Sequence, residues 1–199
     1  MNTEFSKPSL MGIFNKPNKQ FEAIKNNPFI SSPLLIVIFL YTIGMICIGL
    51  FYGDAIFKNE DEIPSDKVLA KMYFIFGVII SALFLEPIRI LFKSLIVLAS
   101  AGICHSNVTF RKIFSLMIHL EIIGIFILFI QTIDKIFLNT ESFQWLILTG
   151  LLILTIWKMI LFANGLKIVA DFSKRFAWSV TIFFFVWSVI FYLISQFAK

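Results

Sequence analysis

Five ionisable residues lie inside stretches that are otherwise apolar: Glu86, Arg89, Lys93, Glu121 and Lys158. The first three belong to Glu86-Pro87-Ile88-Arg89-Ile90-Leu91-Phe92-Lys93, within an apolar run from Met72 to Cys104. On a helix, Arg89 and Lys93 are rotated from Glu86 by about 60° and 20°, so the three share one side, which Ser100 and Cys104 continue. Glu121 lies about eight residues into the next apolar run, and Lys158 about eight from the end of the one after. Both therefore sit roughly 12 Å in from the same side, with Lys93 at a similar level. A charge at the centre of a bilayer costs roughly 2.5–3.5 kcal/mol, so five unpaired ones are excluded. Spacing and depth predict a network in which Glu86 pairs with Arg89, and Glu121 with Lys158 or Lys93. Such a network fixes helix register, with the long basic stems snorkelling toward the membrane surface. Alternatively it marks a path for an ion, proton or substrate. The spacing leaves both readings open.

The elements that must position these residues are hydrophobic helices. Of 199 residues, 59% are hydrophobic, 15% are charged and 25 are Phe, whereas soluble domains are about a quarter charged. An apolar helix of about 20 residues crosses a bilayer, and the chain has five such runs, at about 33–52, 72–104, 113–133, 143–166 and 176–197. The expected fold is all-α, a polytopic membrane bundle of five transmembrane helices. The second run, about 33 residues, makes a helix of ~50 Å, either continuous and bent at Pro87 or divided there into two pieces. Two crossings are excluded, because the pieces are too short.

Residues 1–32 form a lead-in with a short amphipathic helix. It starts at Asn15-Lys16-Pro17, where Pro is tolerated in the first turn, and ends at Asn26-Asn27-Pro28. Phe21 and Ile24 share one face and Lys16, Lys19 and Lys25 form a basic side, so the helix is expected at the membrane surface, apolar side down and lysines on lipid phosphates. The lead-in and the five-span region 33–199 are the two parts of the chain. Orientation follows from Lys and Arg. With the N-terminus inside, inner segments hold Lys7, Lys16, Lys19, Lys25, Arg111, Lys112, Lys167, Lys174 and Arg175, against Lys58, Lys67, Lys71, Lys135 and Lys199 outside. The topology is N-inside, C-outside, and Arg111, Lys112, Lys174 and Arg175 join the lead-in lysines as expected lipid-surface contacts.

Other chemistries find no support. The net charge of +5 comes from short loops and makes no continuous nucleic-acid patch. Cys47 and Cys104 fall at different depths, which gives neither a disulfide nor a metal site. His119 is about 200° around its helix from Glu121, outside the H-E-x-x-H spacing, and is expected to bond a neighbouring helix. The acidic loop 53–71 matches no calcium-binding loop. There is no G-x-S-x-G, no pair of protease glutamates and no phosphate-binding loop, so the chain reads as non-enzymatic, with no cofactor and no metal. In the last run, Thr181, Ser188 and Ser195 recur every seven residues, as in a close helix–helix interface, with a wet pathway lined by those hydroxyls as the alternative. Gly49 and Gly53 permit another close approach.

Three segments carry a family resemblance: Phe14-Asn15-Lys16-Pro17-Asn18-Lys19-Gln20-Phe21-Glu22-Ala23-Ile24 with Asn27-Pro28, Val108-Thr109-Phe110-Arg111-Lys112-Ile113-Phe114-Ser115, and Leu166-Lys167-Ile168-Val169-Ala170-Asp171-Phe172-Ser173-Lys174-Arg175-Phe176-Ala177. With these the chain resembles the bacterial branch of the Yip family, the Ypt/Rab-interacting membrane proteins. It departs in having His105-Ser106-Asn107 where glycines often precede the Thr-Phe turn, and Glu121 in a region that often holds a proline. The resemblance implies an integral protein of the bacterial cytoplasmic membrane that organises membrane or serves as an adaptor for other membrane proteins. Its partners would be the lipid bilayer and either a second copy of the chain or another membrane protein. Rab-type GTPases are not expected, because the Ile, Phe, Lys and Asn bias resembles an AT-rich bacterial genome. The alternative is a small oligomeric transporter or channel using the intramembrane charges.

Overall fold

The computed structural model describes residues 7–56, 67–137 and 141–197, and everything described is helix or short connection. The elements are α1 (Gly12–Asn15), α2 (Pro17–Asn26), α3 (Ser31–Ile56), α4 (Lys67–Ile103), α5 (Phe110–Phe137), α6 (Glu141–Val169) and α7 (Lys174–Phe197). Pro17 opens α2 at a first-turn position, where its missing N–H leaves no bond unmade. α4 runs through Pro87 without interruption for 37 residues, about 55 Å of helix. Pro87 leaves the carbonyl of Leu83 without its helical donor, a defect that membrane helices accommodate.

α5 is the centre of the bundle and packs against α3, α4 and α6. Being apolar over most of its circumference, it can be buried on several sides: Ile113, Leu116, Ile118 and Ile123 are fully enclosed. α4 and α6 flank it and turn large apolar side chains outward, among them Phe76, Phe84 and Leu91 on α4 and Leu148, Leu152 and Ile156 on α6. That outward cover suits hydrocarbon and not water. Among the described residues three helical stretches are long and apolar enough to cross a membrane, Met72–Ile103, Phe110–Ile130 and Trp145–Val169, while α3 contains a shorter apolar stretch, Ser31–Cys47. Gly49 lies against the Phe74 ring of α4. The side-chain surroundings of its expected partner Gly53, and residues 57–66 of the acidic loop, lie outside the described residues.

The lead-in differs from expectation. Its apolar side does not face lipid: Phe21 and Ile24 are completely buried, and α2 packs on α6 and α5. The physical reason is a gap that the sequence leaves for it. A Cβ on Gly165 of α6 would come within 2.7 Å of the Leu116 side chain and 3.3 Å of the Phe21 ring. Glycine therefore lets α5, α6 and α2 meet at one point. Polar bonds tie the same end together. Ser115 Oγ donates to the Phe29 carbonyl at 2.9 Å, Lys25 pairs with Asp171 at 2.5 Å, and Ser106 Oγ donates to the Ala170 carbonyl. His105 (φ 55°) and Asp171 (φ 54°) turn the chain out of α4 and α6 in the left-handed region, which His and Asp enter more readily than most residues.

Gly165→Ala should overpack this junction and cost about 1–3 kcal/mol, read as a lower melting temperature in detergent. Gly150→Ala on the same helix, where an added Cβ meets nothing within 4 Å, should be neutral or stabilise by about 0.5–1 kcal/mol.

Candidate functional site: an ion cluster beside a lateral cavity

The side of α4 that carries Glu86, Arg89 and Lys93 meets α5 at Glu121, and α6 brings Lys158 to the same carboxylate. Lys93 Nζ donates to Glu121 Oε1 at 2.6 Å. Arg89 Nη2 donates to Glu86 Oε1 at 2.6 Å and to Glu121 Oε2 at 3.1 Å. Lys158 Nζ donates to Glu121 Oε2 at 3.2 Å. All five residues thus form one cluster, in which Glu121 contacts three cations from two helices other than its own. Arg89 links the two carboxylates, and the Tyr41 ring of α3 lies 5.9 Å from its guanidinium.

Burial divides the cluster by sign. The side chains of Glu86 and Glu121 are 2% and 3% exposed, whereas those of Arg89, Lys93 and Lys158 are 47%, 25% and 28% exposed. The carboxylates are enclosed by protein, and the cations approach them from the periphery on stems that lie along apolar surface. Three cations face two carboxylates, a formal excess of one positive charge.

Sequence reasoning missed two contributors. Gly124 follows Glu121 by one helical turn, and a Cβ there would stand 2.9 Å from both Glu121 Oε2 and Lys158 Nζ. Its bare backbone makes room for the ion pair, and its position three residues after a membrane-buried Glu was the available signal. Tyr41 gave none beyond being a polar aromatic in an apolar run. Of the expected stripe on α4, Ser100 donates to its own helix at the Ile96 carbonyl, and Cys104 is exposed at the helix end, so neither joins the cluster.

Beside the cluster lies a cavity of about 230 Å3 bounded by α4, α5, α6 and α7, with Lys93, Glu121 and Lys158 on its wall. Thr181 and Ser188 line it from α7 and do not make a closed interface seam; the side chain of Ser195 lies outside the described residues. His119 corrects another expectation. Fully buried, its Nδ1 is 2.7 Å from the Ser115 carbonyl of its own helix, where the sequence suggested a neighbouring one. Among the described residues no three His, Cys, Asp or Glu side chains gather as metal ligands. The expected surface cations fall at the lead-in end: Lys16, Lys19, Arg111, Lys174 and Arg175 are exposed, Lys112 is half-buried, and Lys25 is held by Asp171.

A model of the Yip1 domain matches residues 11–195, from the lead-in to the end of α7. The chain belongs to the Yip1 domain family. It is also similar to the membrane protein YknW of Bacillus subtilis (strain 168), at 28% identity with 97% of this chain and 92% of that protein aligned. No solved structure matches it. As a Yip1-domain protein with apolar helices exposed around a bundle, it is an integral membrane protein of bacterial type.

Glu121→Gln should destabilise this Yip1-domain bundle by about 3–5 kcal/mol, since it leaves Arg89, Lys93 and Lys158 short of a counter-charge within an apolar bundle. Lys158→Met should recover part of that loss in the double variant. Additive effects on the melting temperature would rule out direct pairing.

Proposed function

We infer that the chain is a non-enzymatic protein of the bacterial cytoplasmic membrane that organises membrane or acts as an adaptor for other membrane proteins. On this reading α3 to α7 are five spans, with the N-terminus in the cytosol and the C-terminus outside. The carrying observation is the composition of the lead-in end. There α2, the α4–α5 connection and the α6–α7 connection come together through the Lys25–Asp171 and Ser106–Ala170 contacts. They expose Lys16, Lys19, Arg111, Lys174 and Arg175. A basic face at that end fits a cytosolic orientation, and each such residue near an anionic leaflet is worth about 1 kcal/mol of attraction.

The ion cluster supports the same reading over a transporter or channel. An exchange site needs carboxylates free to bind a solute, but Glu86 and Glu121 each accept from a cation at 2.6 Å, and Glu121, which reaches the cavity wall, accepts from two more. A role in holding α4, α5 and α6 in register accounts for those pairings. The lead-in is then an integral part of the cytosolic face, with Lys16 and Lys19 directed to lipid phosphates or an acidic partner.

Cross-linking in cells followed by purification should capture a defined protein neighbour with the wild type. Arg111→Glu, Lys174→Glu and Arg175→Glu together should lose it while changing stability by no more than about 0.5 kcal/mol per site. Proteoliposomes of the wild type should show no ion or proton flux. Flux driven by a pH or ion gradient would overturn the adaptor reading in favour of transport.

A further inference from the structure

The cavity beside the cluster has two lysines on its wall, an otherwise largely apolar lining, and lining residues that are exposed on α7. Lys93 and Lys158 bring their charges to its wall. Glu121 also reaches the wall, but its two oxygens already accept from three cations, and the cluster keeps one formal positive charge in excess. Lys158 is the least satisfied member. Among the described residues its one contact is to Glu121 at 3.2 Å, against 2.6 Å for Lys93, and an ammonium carries three donors. An uncompensated cation in this setting is costly, so the site favours a monovalent anion.

The walls determine what kind of anion. Phe162 and Phe184 are packed edge to face with ring centroids 5.5 Å apart and form much of the apolar lining. The hydroxyls of Thr155, Thr181 and Ser188 donate to carbonyls of their own helices at 2.8 Å, so the wall offers a ligand no hydroxyl donors. Phe185 and Ser188 line the cavity and are exposed on α7, which leaves an opening on that side. With α7 as a span, this opening faces hydrocarbon. A small inorganic anion matches the charge but leaves the apolar walls and lateral opening without a purpose. An anion carrying an acyl chain matches all three.

We propose that this cavity binds a monoanionic amphiphile, with a carboxylate or phosphate head on Lys158 and Lys93 and an acyl chain leaving past Phe185 and Ser188. The proposal rests on the five-span reading, in which α7 faces lipid, but not on the adaptor role, since it concerns a site away from the basic face.

The test is thermal stability of the full-length, delipidated protein in neutral detergent, titrated separately with palmitate, phosphatidylglycerol and phosphatidylcholine. The expected result is a saturable rise in melting temperature with palmitate, with phosphatidylglycerol or with both, and none with phosphatidylcholine. Whichever anion acts identifies the source of the head group. Lys158→Met should weaken that binding at least tenfold. Ser188→Trp, which fills the opening without touching an ion pair, should do the same while leaving the ligand-free melting temperature unchanged. An equal response to phosphatidylcholine, a response reproduced by chloride alone, or unchanged binding in the Ser188→Trp protein would overturn the proposal.

Discussion

The bundle depends on one carboxylate. Glu121 sits on the central helix, almost fully enclosed, and gathers Arg89 and Lys93 from α4 and Lys158 from α6. Lipid chains are as apolar as the side chains they meet, so burial of Leu or Phe gives little preference for helix over lipid. A charge in hydrocarbon has a strong preference for its counter-ion. The three cations cannot be satisfied unless α4 and α6 lie on either side of α5 at matching depth. Glu121 therefore specifies which helices are neighbours and in what register, while packing supplies contact area around it. Gly124 leaves the space in which this can happen.

The same logic explains the lead-in end. α2 is too short to be stable as an isolated helix, and burial of Phe21 and Ile24 between α5 and α6 holds it in place. Closing that end with a docked helix, a Lys25–Asp171 pair and two serine-to-carbonyl bonds makes three separate segments of the chain into one surface. Charges are thus used twice. Within the bundle they tie α4, α5 and α6 together, and at the lead-in end they leave an exposed basic face.

Much of this was legible in the sequence, and what was not has identifiable causes. Long apolar runs announce helices because nothing else satisfies the backbone in a bilayer, and Pro17 and Pro28 bracket α2 by their stereochemistry. Counting residues from the loops put Glu121 and Lys158 at one depth, and their side chains are 3.2 Å apart. Apolar residues on one side of α2 were visible, but periodicity cannot tell a lipid surface from a protein groove, and the close approach at Gly165 that helps form the groove carries no periodic signal. His119 looked inward for a partner on another helix, yet the nearest acceptor is the carbonyl one turn back on its own. Hydroxyls at heptad spacing on α7 suggested a tight seam. They line a cavity, because α7 packs on α6 and stands off from the charged face of α5.

The central claim is that Glu121 is an ionised carboxylate shared between α4 and α6. Isotope-edited infrared spectroscopy of glutamate-labelled protein, as the difference between wild type and Glu121→Gln near neutral pH, addresses it directly. The account predicts that the substitution removes an ionised-carboxylate band, shifted from the free-glutamate position by its three hydrogen-bond donors. Loss of a protonated carboxyl band instead would contradict it, since a neutral Glu121 could not hold three cations around one site.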